Sequence, residues 1–323
     1  MWKKRLALIE IAQPGVERRG TLDIDDPRAG FYICPCHLYS SDIFQGNNME
    51  FTPLTSEQRD HFREHGYLIV KNALDDDLRN RVMAVGDRFM ETAGPIHNYY
   101  ANRYIDLYEA DALVELTTNS RTVPLVVQLL SHDIHMMRGH LIYKYPQPAS
   151  DEPIYPDGDG RSFRNWHRDL NNFRPDHPIR GTVAVRVGYC LTDFPSPDAG
   201  ATMLVPGSHR LNEALRFKKD SLDPPKFVEP ALNAGDAYIF STSIYHTPGV
   251  NFTGNTTKVL LISYAYRWWA QQHPTPPDDV LETMDPITAQ LFCRPWEGDD
   301  VPLRAWAAEH GLQVEDPPMR VFE

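Results

Sequence analysis

The feature that most constrains the fold is a series of short apolar segments between about residues 135 and 270, each bounded by turn residues. These segments are HLIYKY, TVAVRVGYCL, TMLVP, DAYIFST and KVLLISYAYRWW. Short strand-like runs separated by proline- and glycine-rich turns are typical of a β-sandwich or barrel. The chain also contains 27 prolines against 19 glycines, which favours loops and strand ends over a helical bundle. We therefore predict a mainly β core with flanking helices.

The rest of the chain is arranged around this core. Residues 1–50 show no regular periodicity and are predicted to form an irregular arm. From Thr55 the sequence predicts a helix in SEQRDHFREH that ends at Gly66, a strand in GYLIVKNAL, and further helices in DDDLRNRVMAVGDRFMETA and VPLVVQLL. We expect residues 51–270 to form the main domain, helices first. We expect residues 271–323 to form a helical or irregular extension packed on that domain.

Composition and charge limit the classes of partner. Of the 323 residues, 41% are hydrophobic and 24% are charged, which is ordinary for a globular protein with a core. The formal net charge of −12 opposes binding to the phosphate backbone of nucleic acids. No stretch approaches the ~20 consecutive apolar residues of a membrane-spanning helix, and Glu10 interrupts the short apolar run near the amino terminus. The four cysteines lack the spacing of a metal or disulfide framework. We predict a cytoplasmic protein without nucleic-acid or membrane partners.

One motif has the spacing of metal ligands. The segment NWHRDLNNF places His167 and Asp169 two residues apart, and residues i and i+2 of an extended segment lie on the same face. A third ligand has to come from elsewhere, and His246 follows the strand-like segment DAYIFST. Two histidines and one carboxylate leave positions open for substrate and oxygen, as in non-haem Fe(II) oxygenases. A His-x-Asp pair also arises by chance around a solvated or core histidine, so the surrounding sequence has to decide between these interpretations.

That surrounding sequence resembles the phytanoyl-CoA dioxygenase (PhyH) family. The segment TPLTSEQRDHFREHGYLIVKNAL is similar to the family's amino-terminal signature. The segment LTDFPSPDAGATMLVPGSHR, from Leu191 to Arg210, is similar to its most recognisable internal stretch. The shorter segments KYP, HRDL and GDAYIFSTSIYHTPGVN occur around them in the family's order. The resemblance therefore covers roughly residues 51–267.

The resemblance implies a fold, a reaction and a set of iron ligands. The fold is a double-stranded β-helix (a jelly-roll, cupin-like core), and the cofactors are Fe(II), 2-oxoglutarate and O2. The implied reaction oxidises a C–H bond of a small molecule, with release of succinate and CO2. By resemblance, His167, Asp169 and His246 bind the iron. Related halogenases lack the carboxylate ligand, so Asp169 favours hydroxylation or another C–H oxidation. We expect a tailoring enzyme of specialised-metabolite biosynthesis.

One position departs from the family pattern. The family's arginine for the distal carboxylate of 2-oxoglutarate is expected near position 257, where the sequence has Thr257 followed by Lys258. Alternation along a strand sends these two side chains to opposite faces, and a one-residue shift would make Lys258 the anchor. Arg186 is the better candidate, because it interrupts an apolar run in which an unpaired charge would be costly, and its guanidinium suits a carboxylate. The alternative is an Arg186 that faces solvent or forms an internal salt bridge with Asp193 or Glu213.

Three further residues are candidates for the pocket. His140 lies four residues before Lys144, on a strand that in the family lines the cosubstrate pocket, although a core histidine fits the sequence equally well. Arg138 shares a face with His140 by alternation and is a candidate for substrate contact. Asn165, beside the HRDL segment, is a second such candidate. Trp166 is expected to pack, and the segment PGSHR is expected to fix a turn.

Two other functions stay open at the level of sequence. The absence of the expected arginine also fits a jelly-roll binding module that has lost catalysis, although the complete set of metal ligands argues against it. The same ligands would also serve a cupin-type metal enzyme that does not use 2-oxoglutarate.

Overall fold

Antiparallel strands form two packed layers in the computed structural model of the protein, which describes residues 49–91, 99–149, 164–169, 181–195, 197–296 and 300–314, with the backbone of two short strands between 155 and 163. The strands in chain order are β1 (Tyr67–Val70), β2 (Tyr100–Ile105), β3 (Ile134–Lys144), β4 (Tyr155–Pro156), β5 (Ser162–Phe163), β6 (Ala184–Cys190), β7 (Thr202–Leu204), β8 (Ala237–Ser241), β9 (His246–Pro248) and β10 (Thr257–Tyr266). Six of them form one antiparallel sheet in the order β1-β8-β6-β10-β3-β2.

A smaller layer packs against one face of this sheet. Strand β7 pairs with β9, and two isolated bridges extend the layer, His167 with His246 on one side and Leu204 with Val228 on the other. Apolar side chains from both layers, including Leu204 and Phe240, form a common core. Two sheets facing each other in this way form the predicted double-stranded β-helix.

Helices cover the other face of the large sheet. They are α1 (Ser56–His65), α2 (Asp76–Glu91), α3 (Asp111–Thr117), α4 (Val123–Leu129), α5 (Asp278–Leu281), α6 (Pro286–Leu291) and α7 (Pro302–Glu309). The predicted start and end of α1 are confirmed, because Thr55 and Gln58 form a capping box and Gly66 adopts the left-handed conformation with φ 84°. Apolar residues of α2, α3, α4, α6 and α7 share one core with the sheet.

Strand β6 shows how alternation separates the two faces of the large sheet. Val185, Val187 and Tyr189 belong to the core beneath the helices, whereas Cys190 belongs to the core between the two sheets. Arg186 alternates with the helix-facing residues and therefore lies on the inner face, between the sheets. The inner face is where the candidate site lies.

The remaining predictions on organisation divide according to the described ranges. Residues 1–48, most of the predicted arm, lie outside them, as do Cys34 and Cys36. The carboxyl-terminal segment forms α5, α6 and α7, and Gln290 of α6 donates to the backbone oxygen of Ile134 on β3 at 3.1 Å. Within the described ranges, every helix is too short or too polar to cross a membrane.

Candidate metal centre

Three predicted ligands converge at one end of the smaller sheet. One ligand atom from each of His167, Asp169 and His246 lies within 4.8 Å of the others. Backbone hydrogen bonds fix this spacing, because His167 and His246 exchange N–H···O contacts of 3.0 Å and 2.9 Å, and the Asp169 amide donates to Thr242 at 3.1 Å. Side-chain exposure falls from 33% for His167 to 12% for Asp169 and 5% for His246. The centre is therefore open on the side of His167.

Both imidazoles are held in the orientation that a metal requires. Nδ1 of His167 donates to the backbone oxygen of Asn165 at 2.8 Å, and Nδ1 of His246 donates to that of Ile244 at 3.0 Å. With the proton on Nδ1, each Nε2 has a lone pair for a metal ion. Burial lowers the pKa of His246 to about 4, despite the opposing effect of Asp169. This ligand is consequently neutral at physiological pH.

The carboxylate of Asp169 is paired with Arg186. Nε of Arg186 lies 3.0 Å from Oδ2 of Asp169, so its partner is neither Asp193 nor Glu213. The contact is an ion pair without aligned hydrogen-bond geometry, and Oδ2 is buried without a hydrogen-bond donor. Burial alone would raise the pKa of Asp169, but His246 and Arg186 outweigh it and lower the pKa below its ordinary value. Asp169 is therefore an ionised oxygen ligand with a free acceptor atom.

His140 and Arg138 lie on the inner face next to this centre. His140 is only 8% exposed, and both of its ring nitrogens are buried without a hydrogen-bond partner. Burial, followed by the charges of Arg186 and Arg138, lowers its pKa to about 3. The guanidinium of Arg138 lies 4.4 Å from the ring centroid of Tyr104, and that ring also packs on His140 at 4.5 Å. Tyr104 is 55% exposed, so this stack reaches from the buried centre to solvent.

The structure separates the two residues at the position of the expected family arginine. Thr257 is buried on the inner face and pairs in register with Lys144 of β3. Lys258 lies on the opposite face, with its Nζ 2.7 Å and 3.0 Å from the two carboxylate oxygens of Asp87 on α2. This corrects the alternative assignment of Lys258 as a cosubstrate anchor, because a carboxylate on the helix side of the sheet already compensates its charge.

The segment around the ligands contains one support that the sequence analysis missed. Arg168 binds the turn at Ser208–Arg210, because its guanidinium donates to the backbone oxygens of Ser208 and Leu211. The same guanidinium stacks on Tyr245, 4.3 Å from the ring centroid. Oγ of Ser208 accepts from the amide of Tyr245 at 2.8 Å, immediately before His246. The predicted role of PGSHR in fixing a turn is thus confirmed, and the turn connects both ligand-bearing segments. An arginine between two ligands was the available signal.

Asn165 and Trp166 take different positions. The Asn165 side chain is exposed beside His167, and its backbone oxygen orients that histidine. Trp166 is buried, and its Nε1 donates to Asp223 at 3.0 Å, as expected of a packing residue.

The donor set fits a first-row transition metal of the Fe(II) type. Imidazole nitrogens and a carboxylate oxygen are ligands that such ions accept, and three protein ligands leave coordination positions for other molecules. Two further observations indicate that a ligand belongs beside the metal. The ring nitrogens of His140 and Oδ2 of Asp169 are buried polar atoms without hydrogen-bond partners, and buried polar atoms are normally satisfied.

The chain is similar to proteins named as dioxygenases. The sequence profile described as "Phytanoyl-CoA dioxygenase (PhyH)" matches residues 62–258. The protein named "Dioxygenase trt7" from Aspergillus terreus is 32% identical over 244 residues, which cover 71% of this chain and 80% of that protein. "Dioxygenase olcK" from Penicillium canescens is 26% identical over 166 residues, covering 51% of this chain. The chain thus spans only 45% of the length of olcK.

A solved structure shows the same fold. HygX from Streptomyces hygroscopicus, crystallised with nickel, 2-oxoglutarate and hygromycin B, superposes with a TM-score of 0.52 at 17% sequence identity. The superposition covers 68% of this chain and 90% of HygX. It supports the jelly-roll architecture that the two sheets define.

Proposed function

The chain belongs to the phytanoyl-CoA dioxygenase (PhyH) family, and from that premise we propose that it is an Fe(II)- and 2-oxoglutarate-dependent dioxygenase acting on a small molecule. The observation that carries the proposal is the preorganised set of His167, Asp169 and His246, with both Nε2 atoms and a carboxylate oxygen available to one ion. When bound, Fe(II) and 2-oxoglutarate supply the oxidation of a C–H bond by O2, with succinate and CO2 as coproducts. Hydroxylation is the proposed outcome, because Asp169 completes the ligand set.

The chain's own residues provide ligand geometry and a dry pocket. Backbone pairing between the two histidine-bearing segments holds the metal ligands in place, so little reorganisation is needed when the ion binds. His140 is the proposed contact for the cosubstrate, since its unpartnered nitrogens lie on the inner face beside the centre. The guanidinium of Arg186 contacts Asp169, which supports a position at the metal end of the proposed cosubstrate pocket.

The substrate is proposed to approach from the side of His167, which is the most exposed of the three ligands. Asn165 is exposed next to it. Arg138 and Tyr104 form a cation–aromatic stack at the solvent side of His140. A small molecule with a flat apolar part and a polar group matches these side chains. Specialised-metabolite biosynthesis is the proposed setting, in keeping with the fungal dioxygenases that the chain resembles.

The test is an anaerobic titration of the full chain with Fe(II), followed by 2-oxoglutarate, monitored by the weak visible charge-transfer absorption of the chelated pair. We expect a saturable band in the wild type. The Asp169→Asn variant, which keeps the shape but removes the charge, should bind Fe(II) at least about 10-fold more weakly. Oxygen should then convert 2-oxoglutarate to succinate in the wild type, and screening for substrates should identify the hydroxylated product.

The outcomes separate this function from its alternatives. Fe(II) binding without the band on adding 2-oxoglutarate would support a metal enzyme with other chemistry. Binding of neither Fe(II) nor 2-oxoglutarate would support a binding module instead.

A further inference from the structure

Lys144 is a buried cation on the inner face of the large sheet. Its side chain is at the carboxyl end of β3 and the residue is only 3% exposed. Within the described ranges no carboxylate forms an ion pair with its ammonium group, and its aromatic contact is the Tyr100 ring, 5.1 Å from Nζ to the centroid. Burial, and then the charge of Arg164, lowers the pKa of Lys144 to about 8. Burial of an uncompensated charge is costly, so a group that supplies an anion is expected at this position.

A second polar atom beside Lys144 also lacks a partner. Thr257 faces Lys144 across the β3–β10 ladder, and its Oγ1 is buried with no hydrogen-bond partner. Gly200 packs directly against both residues. A Cβ at this position would lie 2.7 Å from Oγ1 of Thr257 and 3.0 Å from Cβ of Lys144. An ammonium group and a hydroxyl group side by side can both donate hydrogen bonds to one carboxylate.

The inner face between the metal centre and Lys144 is complementary to a dicarboxylic acid. Arg138 pairs with Ser263, which in turn pairs with Arg186 at the centre. His140 pairs with Leu261 next, then Ile142 with Val259, and Lys144 pairs with Thr257 last. Ile142, Val259 and Leu261 belong to the apolar core between the sheets. The sequence of surfaces along β3 and β10 is therefore polar, apolar and then cationic. A 2-oxo dicarboxylic acid presents a chelating head, two methylene groups and a distal carboxylate in the same order.

Arg186, which also lies on the inner face, is already compensated. Arg186 contacts Asp169 at 3.0 Å, which places its guanidinium at the metal end. We propose that Lys144, together with the hydroxyl of Thr257, binds the distal carboxylate of 2-oxoglutarate. This inference rests on the proposed function, since it assigns one end of the cosubstrate of the same site.

The test compares two cosubstrates that differ at one end. In 2-oxovalerate a methyl group replaces the distal carboxylate, while the chelating head is unchanged. Dissociation constants of both acids are measured anaerobically with the Fe(II)-loaded full chain, and their ratio reports recognition of the distal carboxylate alone. In the wild type we expect 2-oxoglutarate to bind about 10- to 100-fold more tightly, as for a charge-assisted hydrogen bond. In Lys144→Met, which should still bind Fe(II), the ratio should fall to about 1.

Lys258→Met is the matched control. It makes the same substitution one residue from Thr257 but on the opposite face, where the lysine pairs with Asp87, so the ratio should stay at the wild-type value. A second variant exchanges the two partners, Lys144→Thr with Thr257→Lys. It keeps the ammonium and hydroxyl in the same register pair and should retain most of the discrimination, even if Lys144→Met does not fold.

The inference is overturned if Lys144→Met keeps the wild-type ratio, and above all if Arg186→Gln abolishes it instead. It is also overturned if the wild type binds both acids equally. Failure of the proposed function gives a different result, namely that the Fe(II)-loaded wild type binds neither acid.

Discussion

Replacing Arg186 by glutamine tests the charge balance of the metal centre. Nε of Arg186 lies 3.0 Å from Oδ2 of Asp169, and the two side chains are only 9% and 12% exposed. In the variant, the carboxylate of Asp169 stays buried next to His246, whose imidazole is neutral at pH 7 because burial lowers its pKa to about 4. The remaining carboxylate would then have lost its nearest compensating cation.

The size of the effect follows from the burial of the pair. Removing one member of a buried ion pair costs about 3–5 kcal/mol, because the other charge remains without compensation. Solvent screening reduces this little at such low exposure. For a domain of this size, 1 kcal/mol corresponds to roughly 2–3 °C in Tm. We therefore expect metal-free Arg186→Gln to unfold about 6–15 °C below the metal-free wild type at pH 7.

A divalent metal should reverse most of this loss. An ion held by His167, Asp169 and His246 neutralises the carboxylate that the variant leaves unpaired. Because the metal-free variant is destabilised and the metal-bound variant is not, linkage requires that Mn(II) stabilise Arg186→Gln more than it stabilises the wild type. Mn(II) is suitable here because it resists oxidation in air.

The assay is thermal unfolding by circular dichroism, in EDTA and in saturating Mn(II), for the wild type and two variants. Arg81→Gln is the control, since Arg81 forms two ion pairs on an exposed helix surface, and such pairs contribute little. Equal Tm values for wild type and Arg186→Gln in EDTA would refute the reasoning. So would an equal Mn(II)-induced shift in both.

Two further predictions concern the supports of the site and the core. Ser208→Ala leaves the part-buried amide of Tyr245 without its acceptor, so we expect a loss of about 1 kcal/mol in unfolding free energy and weaker Mn(II) binding. Calorimetric titration with unchanged Mn(II) affinity would contradict this. Burial, with His273 nearby, lowers the pKa of His135 to about 4 from 6.5. The unfolded chain therefore binds more protons between these values, and stability falls with falling pH. Urea unfolding should show about 2 kcal/mol of this loss between pH 7 and pH 5. His135→Gln should flatten the profile by that amount, and an unchanged slope would disprove the assignment.

Local patterns predicted a β-sandwich or barrel, and the family resemblance supplied the double-stranded β-helix and the proposed set of metal ligands. Alternation and turn residues identify the strands, and the spacing of His167 and Asp169 places two ligands on one face of an extended segment. The third ligand, His246, came from its position after a strand and from the family resemblance. These features depend on residues close in sequence, or on segments that occur in a fixed order.

The contacts that sequence could not give are those made across the sheets. Alternation correctly assigned Thr257 and Lys258 to opposite faces, but it could not tell which face points inward. That depends on Asp87, which lies on α2 and pairs with Lys258. The partner of Arg186 was likewise hidden, because Asp169 approaches β6 from the other layer.

The charges inside the β-helix favour binding of metal and cosubstrate together. In the described part of the inner face, Arg138, Arg186 and Lys144 carry positive charge, and the carboxylate of Asp169 pairs with Arg186. A divalent metal alone would add positive charge to an interior that already has an excess of it. A dianion that chelates the metal and reaches Lys144 removes that excess at both ends of the pocket. The excess positive charge opposes binding of the metal alone, and the dianion relieves it. The two binding steps are therefore coupled, and the coupling must be reciprocal. The net charge of −12 for the whole chain does not change this local balance, because exposed acidic groups more than a Debye length of ~8 Å away are largely screened.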